Sequence, residues 1–163
     1  MSMQTHPSPP DDARVAELAH AYLDAEYRWL HHGSWPELRI AQPAPELERS
    51  FPDLASFGLL SAWNPMSCTR DDDTNRHQDD LLHQALADAG HLLSPAFSSA
   101  RNRTWREPGW LVHGMDTDRF DALARRFGQL GTLWWNRGEP VQLRMDARRP
   151  AGFADAAHVH WLR

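Results

Sequence analysis

The sequence contains no lysine: all 17 of its basic residues are arginine. Schiff-base chemistry, a lysine general base and the phosphate-binding lysine of P-loop proteins are therefore excluded for this chain. The Gly-rich dinucleotide loop, the Gly-x-Ser-x-Gly nucleophile elbow and the His-Glu-x-x-His zinc motif are also missing. The sequence thus indicates no familiar enzyme class, and we expect no cofactor.

Cysteine is almost absent, because Cys68 is the only one. A single cysteine excludes an internal disulfide and a zinc site built from several cysteines. Cys68 precedes a predicted helix, where a thiolate could be activated, but the acidic run from Asp71 to Asp73 acts in the opposite direction. We therefore do not expect a nucleophilic cysteine.

Long apolar runs are missing too, since no stretch of about 18 apolar residues occurs. The first ten residues are polar and proline-rich and lack the basic and apolar regions of a secretory signal. We expect a cytoplasmic protein without a membrane partner. The net charge of −5 and the pI of about 6.0 give no overall electrostatic signature of nucleic-acid binding.

The length of 163 residues suits one domain with one core. Residues 1–10 are predicted to form a disordered arm, residues 11–146 a single α/β domain and residues 147–163 a C-terminal extension anchored by Trp161. The expected fold is α/β (α+β), with a single mixed β-sheet of about five to six strands and helices packed on it.

Hydrophobic periodicity defines the expected elements. Residues 57–63, sequence FGLLSAW, form a continuous apolar run typical of a buried central strand, with Leu59, Leu60 and Trp63 in the core. A helix begins near residue 12, a second is capped by Thr69 and ends at Gly90, and a third ends at Gly128. Further strands are predicted at residues 91–98, 109–115, 132–136 and 141–145, with short strands at 27–31 and 37–40.

The order of these elements predicts where a site would lie. A right-handed crossover through the second helix makes strands 57–63 and 91–98 parallel, and the next strand antiparallel to both. Loops carrying Asn64, Glu107 and Gln129 then reach one edge of the sheet. Open α/β sheets commonly bind ligands outside the strand ends at such an edge.

The same loops carry a resemblance. The segments Ser61-Ala62-Trp63-Asn64-Pro65, Trp105-Arg106-Glu107 and Phe127-Gly128-Gln129, with flanking pieces between residues 22 and 143, resemble the bacterial domain-of-unknown-function family 3293. This family has no established activity, so the resemblance implies a folding unit and not a function.

The Asn64–Ser67 loop has two interpretations. Free N–H groups at a helix start, with the Asn64 and Ser67 side chains, can hold an anion, helped by arginines that point inward, namely Arg39, Arg70 or Arg76. Alternatively, Ser67 or Thr69 caps the helix. The nearby acidic run favours this second interpretation, because it already satisfies the helix dipole.

Glu107 and Gln129 are also ambiguous. Glu107 is a weak candidate for a catalytic general base at a pocket floor, or it forms an ion pair with Arg39 or Arg76. Gln129 either contacts a ligand or satisfies backbone groups of a neighbouring loop. The predicted ligand-binding set is therefore Arg39, Asn64, Ser67, Arg76, Glu107 and Gln129.

Ten histidines suggest metal binding, and Asp73, His77 and Asp80 fall on one side of the second helix. That side flanks the polar face, so we predict a solvated surface and no metal site.

The leading hypothesis is a domain that binds a small polar or nucleotide-like ligand, with enzymatic activity left open. The alternative is a protein-interaction module that uses the C-terminal tail and exposed tryptophans, among them Trp35, Trp110 and Trp161. Its partner could be another protein or a second copy of the chain.

Overall fold

The computed structural model describes residues 8–163, so residues 1–7 of the predicted arm lie outside the described residues. The helices and strands follow the chain in an α+β order: α1 Asp12–Asp24, β1 Glu26–Trp29, β2 Glu37–Leu38, α2 Pro45–Ser50, β3 Ser56–Leu60, α3 Asp72–Asp88, β4 Leu92–Ser99, β5 Arg106–His113, α4 Thr117–Arg126, β6 Gly131–Asn136, β7 Gln142–Met145 and β8 Val159–Trp161.

One mixed sheet runs through the molecule in the order β2-β1-β4-β5-β3-β6-β7-β8. All neighbours pair antiparallel except β7 and β8, which pair parallel. The mixed α+β class is confirmed, but the predicted number of five to six strands is wrong, because the sheet has eight. Four of the strands span only two to four residues, and β8, for which the sequence predicted no strand, lies in the expected C-terminal extension.

The central position of β3 is confirmed. Its five residues are all buried, and Leu59 and Leu60 lie in the core. The strand ends at Leu60, earlier than predicted, and Trp63 lies beyond it and is half-buried. Both β3 and β4 run antiparallel to β5, so they are parallel to each other with β5 between them.

Helices cover the two faces of the sheet separately. One core cluster joins the apolar side of α1 to one face of the strands, and a second joins α3 and α4 to the opposite face. Asp71, and not Thr69, caps α3, and its side chain accepts a hydrogen bond from the Thr74 N–H at 2.8 Å. Within residues 8–163, no helix has the length and apolar character needed to cross a membrane.

Candidate functional site

A small cavity opens at one end of the central strands. Four of the predicted site residues line it together, and they come from the loop after β3, from β5 and from the segment between α4 and β6: Asn64, Ser67, Glu107 and Gln129. Tyr22 at the end of α1 and Tyr27 in β1 complete the polar part of the wall. The cavity volume is about 30 Å³, which is room for one or two water molecules.

Glu107 reaches the cavity because of strand alternation. Residues Tyr27, Ser98 and Glu107 are register partners across three neighbouring strands, so their side chains share one face of the sheet. Asn64 Nδ2 donates a hydrogen bond of 2.9 Å to Glu107 Oε1. Within residues 8–163, Glu107 forms no ion pair and its Oε2 accepts no hydrogen bond. Burial raises the pKa of Glu107, and the hydrogen bond from Asn64 offsets part of that rise.

Tyr22 and Ser67 form a second polar pair in the cavity. Their hydroxyl groups share a hydrogen bond, in which either oxygen can be the donor. Burial raises the pKa of Tyr22 to about 12; the Ser67 hydrogen bond lowers it and the nearby Glu107 charge raises it further. Gly131 leaves the space for this ring, because a Cβ there would lie 2.6 Å from Tyr22 Cε2.

The loop that presents Asn64 and Ser67 has unusual backbone geometry. Asn64, Met66 and Ser67 have φ angles of 45°, 52° and 57°, in the left-handed region that non-glycine residues avoid. Each such residue costs about 1–2 kcal/mol, less for asparagine. The Met66 N–H donates to the Gly128 carbonyl at 2.7 Å, which fixes the loop against the α4–β6 connection. Strain of this kind clusters at functional sites.

The Asn64 side chain organises this loop. Its Oδ1 accepts hydrogen bonds from the Arg70 N–H at 3.1 Å and from Asn75 Nδ2 at 2.9 Å, while its Nδ2 binds Glu107. Asn75 is 1% exposed and its Oδ1 accepts from the Asn64 N–H at 3.0 Å. All donors and acceptors of this amide except one N–H are thus used by the protein, and its role is to position Glu107.

Gln129 supports the neighbouring segment. Its Nε2 donates to the carbonyl oxygens of Trp63, at 3.0 Å, and Phe127, at 3.2 Å. Both N–H donors therefore satisfy backbone groups, as one of the two interpretations of this residue predicts. Its Oε1 accepts no hydrogen bond from residues 8–163.

Arg39 and Arg76 do not join the cavity, and the prediction that either would pair with Glu107 is wrong. Arg39 binds Glu37 at 2.9 Å, and Arg76 binds Asp73 at 3.0 Å on the exposed side of α3. Both arginines pair with acids within a few residues in sequence, where the cost of ordering the pair is smallest. Arg70 also turns away from an anion role, because its guanidinium donates to Asn75 Oδ1 and to the Ala62 carbonyl.

The tryptophans give no exposed apolar patch. All eight lie within residues 8–163, and each is either buried or half-buried, including Trp35, Trp110 and Trp161. The large apolar side chains with the greatest exposure are Leu81 and Leu92. The protein-interaction alternative therefore stays a prediction, and a partner would have to contact the half-buried tryptophan rings.

That the protein has no metal site also stays a prediction. In the part of the chain that the structure describes, no three histidine, cysteine, aspartate or glutamate side chains are grouped to hold an ion. We expect protein without an affinity tag to carry far less than one zinc, manganese or iron per chain by elemental analysis. A content near one per chain would contradict this prediction.

Comparison with known families adds one finding. Residues 60–131 match the model of a family described as a protein of unknown function (DUF3293). The chain resembles this family. The match includes Asn64, Ser67, Arg76, Glu107 and Gln129, and it leaves out Arg39 and Tyr22. No curated protein and no solved structure matches the chain significantly.

Tyr22 and Tyr27 are the site residues that sequence analysis missed. Helical spacing assigns Tyr22 to the apolar side of α1, and Tyr27 is predicted as a strand residue, so neither was considered for the site. One signal was available: these are the only two tyrosines of the chain. A buried tyrosine needs a partner for its hydroxyl group, which here is Ser67 for Tyr22 and the Tyr22 carbonyl for Tyr27.

Proposed function

We propose that the protein binds a small polar ligand, or a small polar group of a larger one, through Glu107. The observation that carries this proposal is a half-buried carboxylate whose only hydrogen bond within residues 8–163 comes from Asn64 and which has no cationic partner there. A buried charge is stable when it is paired. A ligand with an ammonium or another N–H group supplies that partner.

The free atoms of the cavity specify the ligand's polarity. Glu107 Oε2 and Gln129 Oε1 accept no hydrogen bond from the described residues, and the Tyr22–Ser67 pair, the hydroxyl groups of Ser98 and Thr132 and one Asn64 N–H are available as donors. The carboxylate of Glu107 therefore favours a ligand with a cationic N–H group, and that ligand can also accept hydrogen bonds. The volume of about 30 Å³ favours a group of one or two heavy atoms and not a whole nucleotide.

Methylammonium is a suitable probe, because it combines a positive charge with two heavy atoms. The best tiny ligands gain about 1.5 kcal/mol per heavy atom, which limits its Kd to roughly 10 mM. We expect methylammonium at such concentrations to shift the side-chain amide signals of Asn64 and Gln129 in a ¹H–¹⁵N NMR spectrum. Formate, an anion with only three heavy atoms, should leave both signals in place. The proposal fails if methylammonium moves neither amide.

The variant Glu107→Gln separates a binding role from a structural one. The raised pKa of Glu107 means that the folded state disfavours its charged form, so at neutral pH the carboxylate costs stability. We expect Glu107→Gln to melt at a temperature equal to or above that of the wild type, while methylammonium binding falls about tenfold or more.

Glu46→Gln serves as the matched control, since Glu46 is exposed at the start of α2. It should change neither the melting temperature nor the amide shifts appreciably. A clear loss of stability in Glu107→Gln would instead show that Glu107 ties the loops together.

For catalysis, Glu107 is the group placed to accept a proton from a bound N–H or O–H, because burial moves its pKa up towards neutral pH.

A further inference from the structure

Strands β1, β4 and β5 form a second concave surface on the face of the sheet opposite to the Glu107 side chain. Arg28 is the register partner of Phe97, and Ser99 is the partner of Arg106, so these side chains alternate with the cavity-facing residues. They line a groove of about 480 Å³, which falls within the usual size range of small-molecule sites. The loops on either side add Trp35, Arg103 and Trp105 to its wall.

The charge of this groove is positive although the chain carries a net charge of −5. Three arginines and one acid, Glu26, line it. Arg28 pairs with Glu26 and lies 4.0 Å from Glu37, whereas Arg103 and Arg106 form no ion pair within residues 8–163. Two guanidinium groups are therefore free to bind an anion.

The position of Arg106 suits a phosphate. Its guanidinium lies 3.9 Å above the centre of the Phe97 ring. This cation–π contact holds the group over the ring, and no N–H of the Arg106 guanidinium donates a hydrogen bond within residues 8–163, so these donors are available for a bidentate contact to a phosphate. Arg103 lies in the adjoining loop with a φ of 60° and lines the same groove.

The aromatic part of the wall suits a planar ring. Trp35 packs 5.2 Å from Phe97 at an angle of 57°, and the Arg28 guanidinium donates to the Trp35 carbonyl at 2.7 Å, which fixes the loop. Trp35 and Trp105 are both half-buried, so each keeps part of its ring accessible. Stacking between a base and an aromatic side chain, next to arginines that hold the backbone, is a general way to bind a nucleotide unit.

We propose that this groove, lined by Arg28, Trp35, Phe97, Arg103, Trp105 and Arg106, binds a nucleotide. The base stacks on Trp35 or Trp105, and Arg103 and Arg106 hold the phosphate. The net charge of the whole chain predicts no nucleic-acid partner, but net charge averages over all surfaces and does not describe one face. The groove lies on the opposite sheet face from Glu107, so the two proposals stand or fall separately.

Titration of the full chain tests the proposal with four probes: AMP, inorganic phosphate, a thymidine oligonucleotide of about ten residues and a poly-glutamate peptide of similar charge. We expect AMP to bind more tightly than phosphate, and to quench tryptophan fluorescence. An oligonucleotide that binds at least about tenfold more tightly than AMP identifies a single strand as the source of the nucleotide unit; equal binding identifies the free nucleotide. Absence of AMP and oligonucleotide binding, or equal binding of poly-glutamate, overturns the proposal.

Arg103→Gln and Arg106→Gln locate the site. Each should weaken binding about tenfold and reduce its dependence on salt, because each removes one phosphate contact. Arg119→Gln, on the exposed side of α4, is the matched control and should bind as the wild type does. Circular dichroism and the melting temperature verify folding of every variant. Unchanged binding by folded Arg103→Gln and Arg106→Gln places the ligand elsewhere and overturns the proposal.

Discussion

Replacing Gly128 by alanine is expected to lower the free energy of unfolding by about 2–5 kcal/mol. Gly128 has a φ of 67°, a conformation that costs a residue with a Cβ about 1–2 kcal/mol. In addition, the new Cβ would lie 2.6 Å from the Cβ of Pro65, and overpacking of this kind costs about 1–3 kcal/mol. Chemical denaturation of both proteins measures the difference.

Gly138→Ala is the matched control for this prediction. Its φ of 83° imposes the same kind of backbone cost, but no atom lies within 4 Å of the position its Cβ would take. The difference between the two variants therefore isolates the contact between Gly128 and Pro65. Equal destabilisation by both substitutions would show that this contact does not constrain the fold.

The Gly128→Ala variant also links stability to the candidate site. Pro65 precedes Met66, whose N–H binds the Gly128 carbonyl, so pushing the two segments apart moves the left-handed loop at Asn64. The fixed position of the Asn64 amide, and through it Glu107, depends on this close approach. We therefore expect methylammonium to lose affinity in Gly128→Ala and to keep it in Gly138→Ala.

The sequence predicted that Asn64, Ser67, Glu107 and Gln129 would line one cavity, and topology explains why they do. Two helical crossovers between parallel strands must return their loops to the same edge, whatever the side-chain details. Asn64 and Gln129 lie in the connections at the ends of these crossovers and Glu107 lies near the start of β5, so their meeting required only correct element types and order. The strand count was less accurate, and β8 was missed because it spans three residues, which is too short for an alternating pattern.

The ion pairs could not be predicted from topology. An arginine reaches many positions, and its choice of partner depends on which acid lies nearest once the backbone is fixed. For Arg39 and Arg76 the partners are Glu37 and Asp73, which lie on the same side of the extended chain at β2 and of helix α3 respectively and which local spacing alone would have suggested. The groove on the outer face was missed for a related reason: it brings Trp35 together with Phe97 and Arg106, which come much later in the chain.

The free energy of unfolding is expected to fall as the pH is lowered from 6.5 towards 4, and His113 is the cause. This residue is 2% exposed, its ring lies 4.1 Å from that of Phe51, and its Nε2 is 3.0 Å from the Ser94 hydroxyl. Burial lowers the pKa of His113 from 6.5 to about 4. The Nδ1 atom is buried without a hydrogen-bond partner among the described residues, so nothing there favours the charged ring.

The direction of the effect follows from proton binding. Between pH 6.5 and about 4 the unfolded chain takes up a proton at His113 and the folded chain does not, so acid stabilises the unfolded state. The contribution of one such group is at most about 1.4 kcal/mol per pH unit. Above pH 6.5 the effect ends, because His113 is neutral in both states.

His113→Gln tests this assignment, because glutamine can still bind the Ser94 hydroxyl group but does not titrate. Urea denaturation at several pH values between about 4 and 7 should show a clearly smaller pH dependence for His113→Gln than for the wild type, whatever its stability at neutral pH. His77→Gln is the control, since His77 is exposed on α3 and should leave the slope unchanged. Glu107 opposes His113 in this range, because its raised pKa makes the folded state gain stability as acid protonates it. The difference in slope between the wild type and His113→Gln is therefore measured a second time in the Glu107→Gln background, where it should persist. If the two slopes are equal in both backgrounds, His113 is not the group that destabilises the fold in acid.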